Sequence, residues 1–118
     1  MYSVFLLLQV KTLLWKTSDI IMISLKRFNN NHKINKYLKY PDILNLDNYN
    51  LNYGTNKKNR YCLESLAIHC GGLHGGHYYS VCKNHLSKSW YKYDDDSSII
   101  YNDKYLTECP YVLFYKRC

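Results

Sequence analysis

The 118-residue chain has no Cys-x-x-Cys pair, no long tract of one charge, two prolines and five glycines. Each shortage excludes something. Five cysteines, Cys62, Cys70, Cys82, Cys109 and Cys118, are an odd number at spacings that give neither a disulfide framework nor a four-cysteine zinc site. Reduced thiols and a cytoplasmic or nuclear protein are the expectation. The apolar opening MYSVFLLLQV is interrupted at Gln9 and Lys11, too soon to span a bilayer. It also lacks a basic lead and a small-residue cleavage site, so neither a membrane role nor a signal peptide is expected. The net charge is +7, but the basic residues are scattered in short groups such as NKKNR. That excess reads as a solvated surface and argues against a nucleic-acid partner.

What is present is tyrosine, fourteen of them, in a chain that is 47% hydrophobic and 21% charged. This composition suits one globular domain richer in strands than in helices. Residues 1–19 read as a ragged start with room for one strand. IIMISLKRF, 20–28, reads as a buried strand, and NNNHKINK as a polar turn. KYLKYPDILNLDNYNLNYG offers short extended pieces, and GTNKKNR a loop. An antiparallel meander follows: RYCLESLAIHC, a turn at GGLHG, GHYYSVCK, SWYKYDD, a turn at Asp96–Ser98, a short strand at Ile99–Tyr101, and PYVLFYKR.

Four of the five glycines fall within GGLHGGHYYSV, directly before His77. Paired glycines suit a turn or a place of close approach, whereas Tyr78, Tyr79 and Val81 suit a strand. A four-residue loop at Asn84–Ser87 would pair Lys83 with Lys88. Continued by constant sum, that register sets Val81 opposite Trp90, Tyr79 opposite Lys92 and His77 opposite Asp94. Paired residues share a face, with Cβ atoms about 5 Å apart. An aspartate accepting from one ring nitrogen fixes the tautomer and leaves the other nitrogen to take a proton. Read without that register, KYDDD is an acidic turn at a strand end.

With these pieces in order, the chain resembles the C-terminal half of the ubiquitin-specific proteases, the papain-like cysteine deubiquitinases. IIMISLKRF is similar to the family strand ending Leu-Lys-Arg-Phe, YPDILNLDNY to its Phe-Pro-x-x-Leu-x-Leu segment, and RYCLESLAIHCG to its Tyr-x-Leu…His-x-Gly strand. GGHYYSV, WYKYDDDS and PYVLFYKR match the histidine box, the acidic box and the closing strand. The resemblance covers residues 20–118. It implies an α+β, mainly antiparallel β architecture, the palm-like C-terminal part of a papain-like cysteine protease domain. It implies His77 as general base, Asp94 as its orienting partner and Asp95 as a second acidic support. Gly75, Gly76 and Tyr78 would line a slot for the Gly-Gly tail of ubiquitin, while Ser80 and Cys82 face the other way as packing residues. No cofactor and no metal are implied. The partners implied are ubiquitin or a ubiquitinated protein, and a chain bearing the cysteine box.

The nucleophile is the departure. The family carries it in a Gly-Asn-x-Cys box that opens a helix, where the helix end and an imidazole promote the thiolate. No such box occurs here. Cys62 and Cys82 lie within expected strands, Cys109 precedes a proline and Cys118 is the last residue. Cys70, in HCGG, is near the site but is followed by no helix. The oxyanion donors that accompany the box, and the paired Cys-x-x-Cys elements of many members, are also missing. Three functions remain open: the base-bearing part of a deubiquitinase, an inactive module that binds the ubiquitin tail, and a zinc site from His69, Cys70, His74, His77 and Cys82.

Overall fold

The computed structural model describes residues 10–30, 32–51, 59–102 and 104–118. Among these residues seven strands form one sheet: β1 Ile20–Ser24, β2 Ile43–Asn45, β3 Arg60–Gly72, β4 Gly75–Lys83, β5 Trp90–Asp94, β6 Ser97–Ile100 and β7 Val112–Arg117. The order is β1-β7-β3-β4-β5-β6, with β2 also paired to β3. All these pairings are antiparallel, as expected. Helical structure among the described residues is confined to 3-10 turns at Asp47–Tyr49 and Tyr105–Thr107. Residues 10–19 form no strand; Leu14 makes a single bridge to Asn50. The expected loop at GTNKKNR lies largely outside the described residues.

The long strand β3 organises the molecule. It pairs with β7 along one edge through Tyr61–Ala67, and with β2 and then β4 along the other. Its buried apolar residues are Tyr61, Leu63, Leu66 and Ile68, a pattern that changes parity midway. A bulge explains the change: the register against β7 shifts between Leu63 and Ser65. The extra residue, Glu64, lets the side chains on both sides of it reach the same core. There they meet Val81, Leu113, Tyr115, Tyr40 and Trp90. Trp90 stacks on Tyr105 at 4.1 Å and 9°. Each such burial contributes about 1.5–3 kcal/mol.

Arg27 of the Leu-Lys-Arg-Phe stretch is buried. Its Nε donates to the Pro110 carbonyl at 2.5 Å, and its Nη1 to the carbonyls of Ile34 and Lys36 at 3.1 and 2.9 Å. One guanidinium thus ties the segment after β1 to the entry of β7, which places Phe28 beside the β3–β4 hairpin.

Several sequence expectations are corrected: β1 ends at Ser24 and exposes alternate residues, and the turn falls at Asp95–Asp96, so that β6 starts at Ser97. Cys62 and Cys118 form a disulfide with Cα atoms 5.6 Å apart, leaving Cys70, Cys82 and Cys109 free, so the five thiols are not all reduced. The β4–β5 register is also two residues from the one expected. The ladder runs from Lys83↔Trp90 to Ser80↔Tyr93, with Val81 opposite Lys92. The loop sits one residue later because Asn84 closes it. Its side-chain oxygen accepts from the amides of Leu86 and Ser87, its own amide donates to the Ser89 carbonyl, and Lys88 takes a left-handed φ of 58°.

Candidate active site

The β3–β4 hairpin closes tightly, with Gly72 opposite Gly75 and only Leu73 and His74 between them. Two of its glycines are required by the chain's own packing. Gly71 has φ of 127°, and a Cβ there would lie 2.5 Å from both the Gly75 carbonyl oxygen and the Gly76 Cα. A Cβ on Gly76 would fall on the His69 ring and the Cys70 carbonyl oxygen. Gly72 and Gly75 meet nothing within 4 Å and leave open space.

His77 follows these glycines on β4. Its Nε2–H donates to Asp94 Oδ1 at 2.5 Å. The expected bond is therefore present, although His77 and Asp94 are not ladder partners. A register change of two preserves the face, so Asp94 reaches His77 diagonally instead of directly. Asp95 Oδ2 lies 4.0 Å from the same nitrogen. Asp95 has a left-handed φ of 49° in the two-residue turn between Asp94 and Ser97, which brings its carboxylate back towards the imidazole.

The second oxygen of Asp94 is also engaged, by Lys92 Nζ at 3.0 Å. The bond to Asp94 holds the His77 pKa above its ordinary value, with Asp95 adding to that effect and Lys92 opposing it. The same bond, with the Lys92 ammonium, holds the Asp94 pKa below its own. With Nε2 donating, neutral His77 presents Nδ1 as an acceptor. The ring is about half exposed, so that nitrogen is open to a second group.

Gly75, Gly76 and Tyr78 come together in a second place. With Phe28, His69, Gly72 and Leu73 they line a cavity of about 370 Å³ at the hairpin. Tyr78 alternates with His77 along β4, so the cavity lies on the opposite face of the strand from the imidazole. His69 is buried against Tyr78, ring centroids 4.6 Å apart, and Phe28 and Tyr111 stand around it at 5.7 and 6.4 Å. Phe28 and His69 are lining residues that sequence reasoning did not assign to the tail slot. The signal was available: closing the hairpin at Leu73–His74 pairs His69 with Tyr78.

Cys70 is the direct cross-strand partner of His77, and its thiol is exposed and free. Ser80 and Cys82 alternate away from the His77 face, as expected. The five-residue zinc set does not assemble. Among the described residues, the group of His, Cys, Asp and Glu side chains close enough to share a metal ion is His77, Asp94 and Asp95.

The family model "Ubiquitin carboxyl-terminal hydrolase" matches residues 9–115. Ubiquitin carboxyl-terminal hydrolase 8 of Arabidopsis thaliana is 36% identical over 114 residues, covering 88% of this chain and 12% of its own length. Ubiquitin carboxyl-terminal hydrolase 5 of Saccharomyces cerevisiae is 35% identical over 114 residues, covering 82% and 14%. Among solved structures, the SAGA DUB module of Ubp8, Sgf11, Sus1 and Sgf73 bound to monoubiquitin aligns with a TM-score of 0.76 at 28% identity, covering 86% of this chain and 24% of that one. The same module bound to ubiquitin aldehyde gives 0.76 and 28%. The chain thus spans about one eighth of the length of the curated relatives it matches. On the family match over nearly its whole length, and on a fold shared with the solved enzyme, the chain belongs to the ubiquitin carboxyl-terminal hydrolase family, as a C-terminal part of a ubiquitin-specific protease domain.

Proposed function

We propose that this chain supplies the base and its orienting carboxylate to a cysteine-type deubiquitinase whose nucleophile lies on a Gly-Asn-x-Cys segment outside the 118 residues. The carrying observation is the His77 Nε2–H···Asp94 Oδ1 bond of 2.5 Å, which leaves Nδ1 as the acceptor of a half-exposed ring. In this reading Nδ1 takes the proton of the cysteine thiol. The thiolate attacks the carbonyl carbon of ubiquitin's last glycine, and the resulting imidazolium, stabilised by Asp94, protonates the departing lysine amine. His77 then deprotonates a water that cleaves the thioester and frees the carboxylate. Gly75, two residues before His77 on β4 and with nothing within 4 Å of an added Cβ, offers open backbone for the diglycine tail beside the imidazole.

The test is release of a fluorophore from the C-terminus of ubiquitin. The chain alone is expected to show no His77-dependent turnover, because a histidine–aspartate pair without a nucleophile or oxyanion donors loses several kcal/mol of barrier lowering. Adding a ubiquitin-specific protease segment that carries Gly-Asn-x-Cys should give turnover that His77→Ala abolishes. Turnover by the chain alone that both His77→Ala and Cys70→Ala remove would overturn the proposal and make Cys70 the nucleophile.

A second reading is a binding module for the ubiquitin tail without chemistry. It is favoured by the separation of the aromatic cavity from His77 across β4. A Tyr78→Ala change that abolishes binding of ubiquitin's C-terminal peptide, together with no turnover in any combination, would select it.

A further inference from the structure

We propose that Lys92 is a positioning residue: gripped by Tyr79, it pins the Asp94 carboxylate and through it orients His77. The inference rests on the reading of His77 as the base. Lys92 pairs with Val81 and shares the face of β4 that carries Tyr79 and His77. Its Nζ lies 3.0 Å from Asp94 Oδ2, while Oδ1 accepts from His77. Each carboxylate oxygen therefore has its own partner, and tilting the carboxylate plane weakens both contacts at once. A solvated lysine would not hold such a position, because its long stem keeps its rotamer freedom. This one is held. Nζ sits 4.0 Å from the centroid of the Tyr79 ring, a cation–π contact, and the side chain is only one quarter exposed.

Tyr79 is fixed in turn. Its hydroxyl donates to Glu108 Oε2 at 2.8 Å, and the other oxygen of Glu108 accepts from Tyr101 at 2.6 Å. Burial first, and then Glu108, push the Tyr79 pKa up, so the hydroxyl stays a neutral donor. A continuous line thus runs from Glu108 through Tyr79, Lys92 and Asp94 to His77. It links an exposed imidazole to partly buried side chains before β7. The charged and titratable groups around the imidazole are Asp94 and Asp95 of the β5–β6 hairpin, Lys92 of β5 and Cys70 across the strand on β3. Among the described residues Lys92 is the one cation of this group.

The experiment is NMR on the 118-residue chain, without ubiquitin or a nucleophile. It compares wild type with Lys92→Met, Lys92→Gln and Lys92→Arg, using the amide spectrum to verify the fold. Two signals are read: the His77 imidazole N–H resonance with the ring neutral, and the titration midpoint of the Asp94 carboxyl. In Lys92→Met and Lys92→Gln, the N–H resonance is expected to be lost to solvent exchange and the Asp94 midpoint to shift upward. Lys92→Arg should restore both. Glutamine separates charge from reach, since its amide can approach Oδ2 without an ion pair, and either neutral variant suffices if the other does not fold. An N–H resonance and an Asp94 midpoint that stay at wild-type values in a folded neutral variant would overturn the role of Lys92 and leave the proposed function standing. Failure of turnover in trans would do the reverse.

Discussion

An imidazole as exposed as that of His77 would ordinarily titrate near 6.5, and it is Asp94 that moves it upward. The direction fixes a pH window. A histidine whose folded pKa is raised contributes stability that is fully present below its unfolded value, and that contribution is lost as pH rises through the folded value. Asp94 is lowered, so its share is present above its ordinary 3.8 and is lost as pH falls through the depressed value. The pair is therefore at full strength between about 4 and 6.5, where Asp94 is ionised and His77 protonated. Asp94→Asn removes the carboxylate and keeps the shape. Its expected effect is a downward shift of the His77 midpoint, read from the ring carbon protons by NMR across pH 4 to 9. A midpoint that stays in place would show that the 2.5 Å bond does not set the proton affinity of the imidazole.

The hairpin of β3 and β4 carries its glycines for two different reasons, and substitution separates them. A Cβ at Gly76 has nowhere to go. The His69 ring that it would strike is enclosed by Phe28, Tyr78 and Tyr111, and the Cys70 carbonyl belongs to the paired strand. Gly76→Ala is expected to cost about 1–3 kcal/mol, the usual range for overpacking. Gly75→Ala meets open space and should change stability by less than about 0.5 kcal/mol. Urea denaturation of the two variants measures both, and equal costs would refute the distinction. At this scale the sequence was a good guide to which elements exist and a poorer one to how they are joined. Alternation marks strands, so β3, β4, β5 and β7 were legible. Register depends on where a loop closes, and the Asn84 side chain that closes this one competes with neighbouring polar residues for that task. The candidate site survived because an error of two keeps every side chain on its face, and an error of one would have moved Asp94 to the other side. The Glu64 bulge was hidden in a stretch that still alternates on either side of it. The Cys62–Cys118 bond was hidden because it follows from β7 lying against β3, which spacing does not reveal.

Among the described residues a tyrosine-rich interior is combined with sheet edges that no further strand pairs, and each predicts a behaviour. Tyr40, Tyr79, Tyr101, Tyr105 and Tyr115 all have raised pKa values. Burial is the leading cause for four of them and the Glu108 bond for Tyr101, and the last three named reach about 12. Groups raised in the fold stabilise it below their unfolded value of 10 and stop doing so as pH climbs through the folded values. Loss of the sheet by circular dichroism is therefore expected to coincide with a step in tyrosinate absorbance above pH 10. Ionisation of these tyrosines with the sheet intact would contradict it. The edges predict association. β1 is terminal in the strand order and exposes Ile20 at 61% and Met22 at 64% on one face. β6, at the other end, exposes Ile99 and Ile100. Unpaired backbone donors and acceptors beside apolar side chains are a template for another strand, and edges are normally blunted by charge, proline or a bulge. Strand β1, IIMIS, contains none of these. The isolated chain is expected to sediment as a mixture that grows heavier with concentration. Ile20→Lys with Met22→Lys should shift it towards monomer without lowering the thermal midpoint, since both side chains already face solvent. A wild-type chain that stays monomeric across the concentration series, with a cooperative thermal transition, would show that these edges do not drive association.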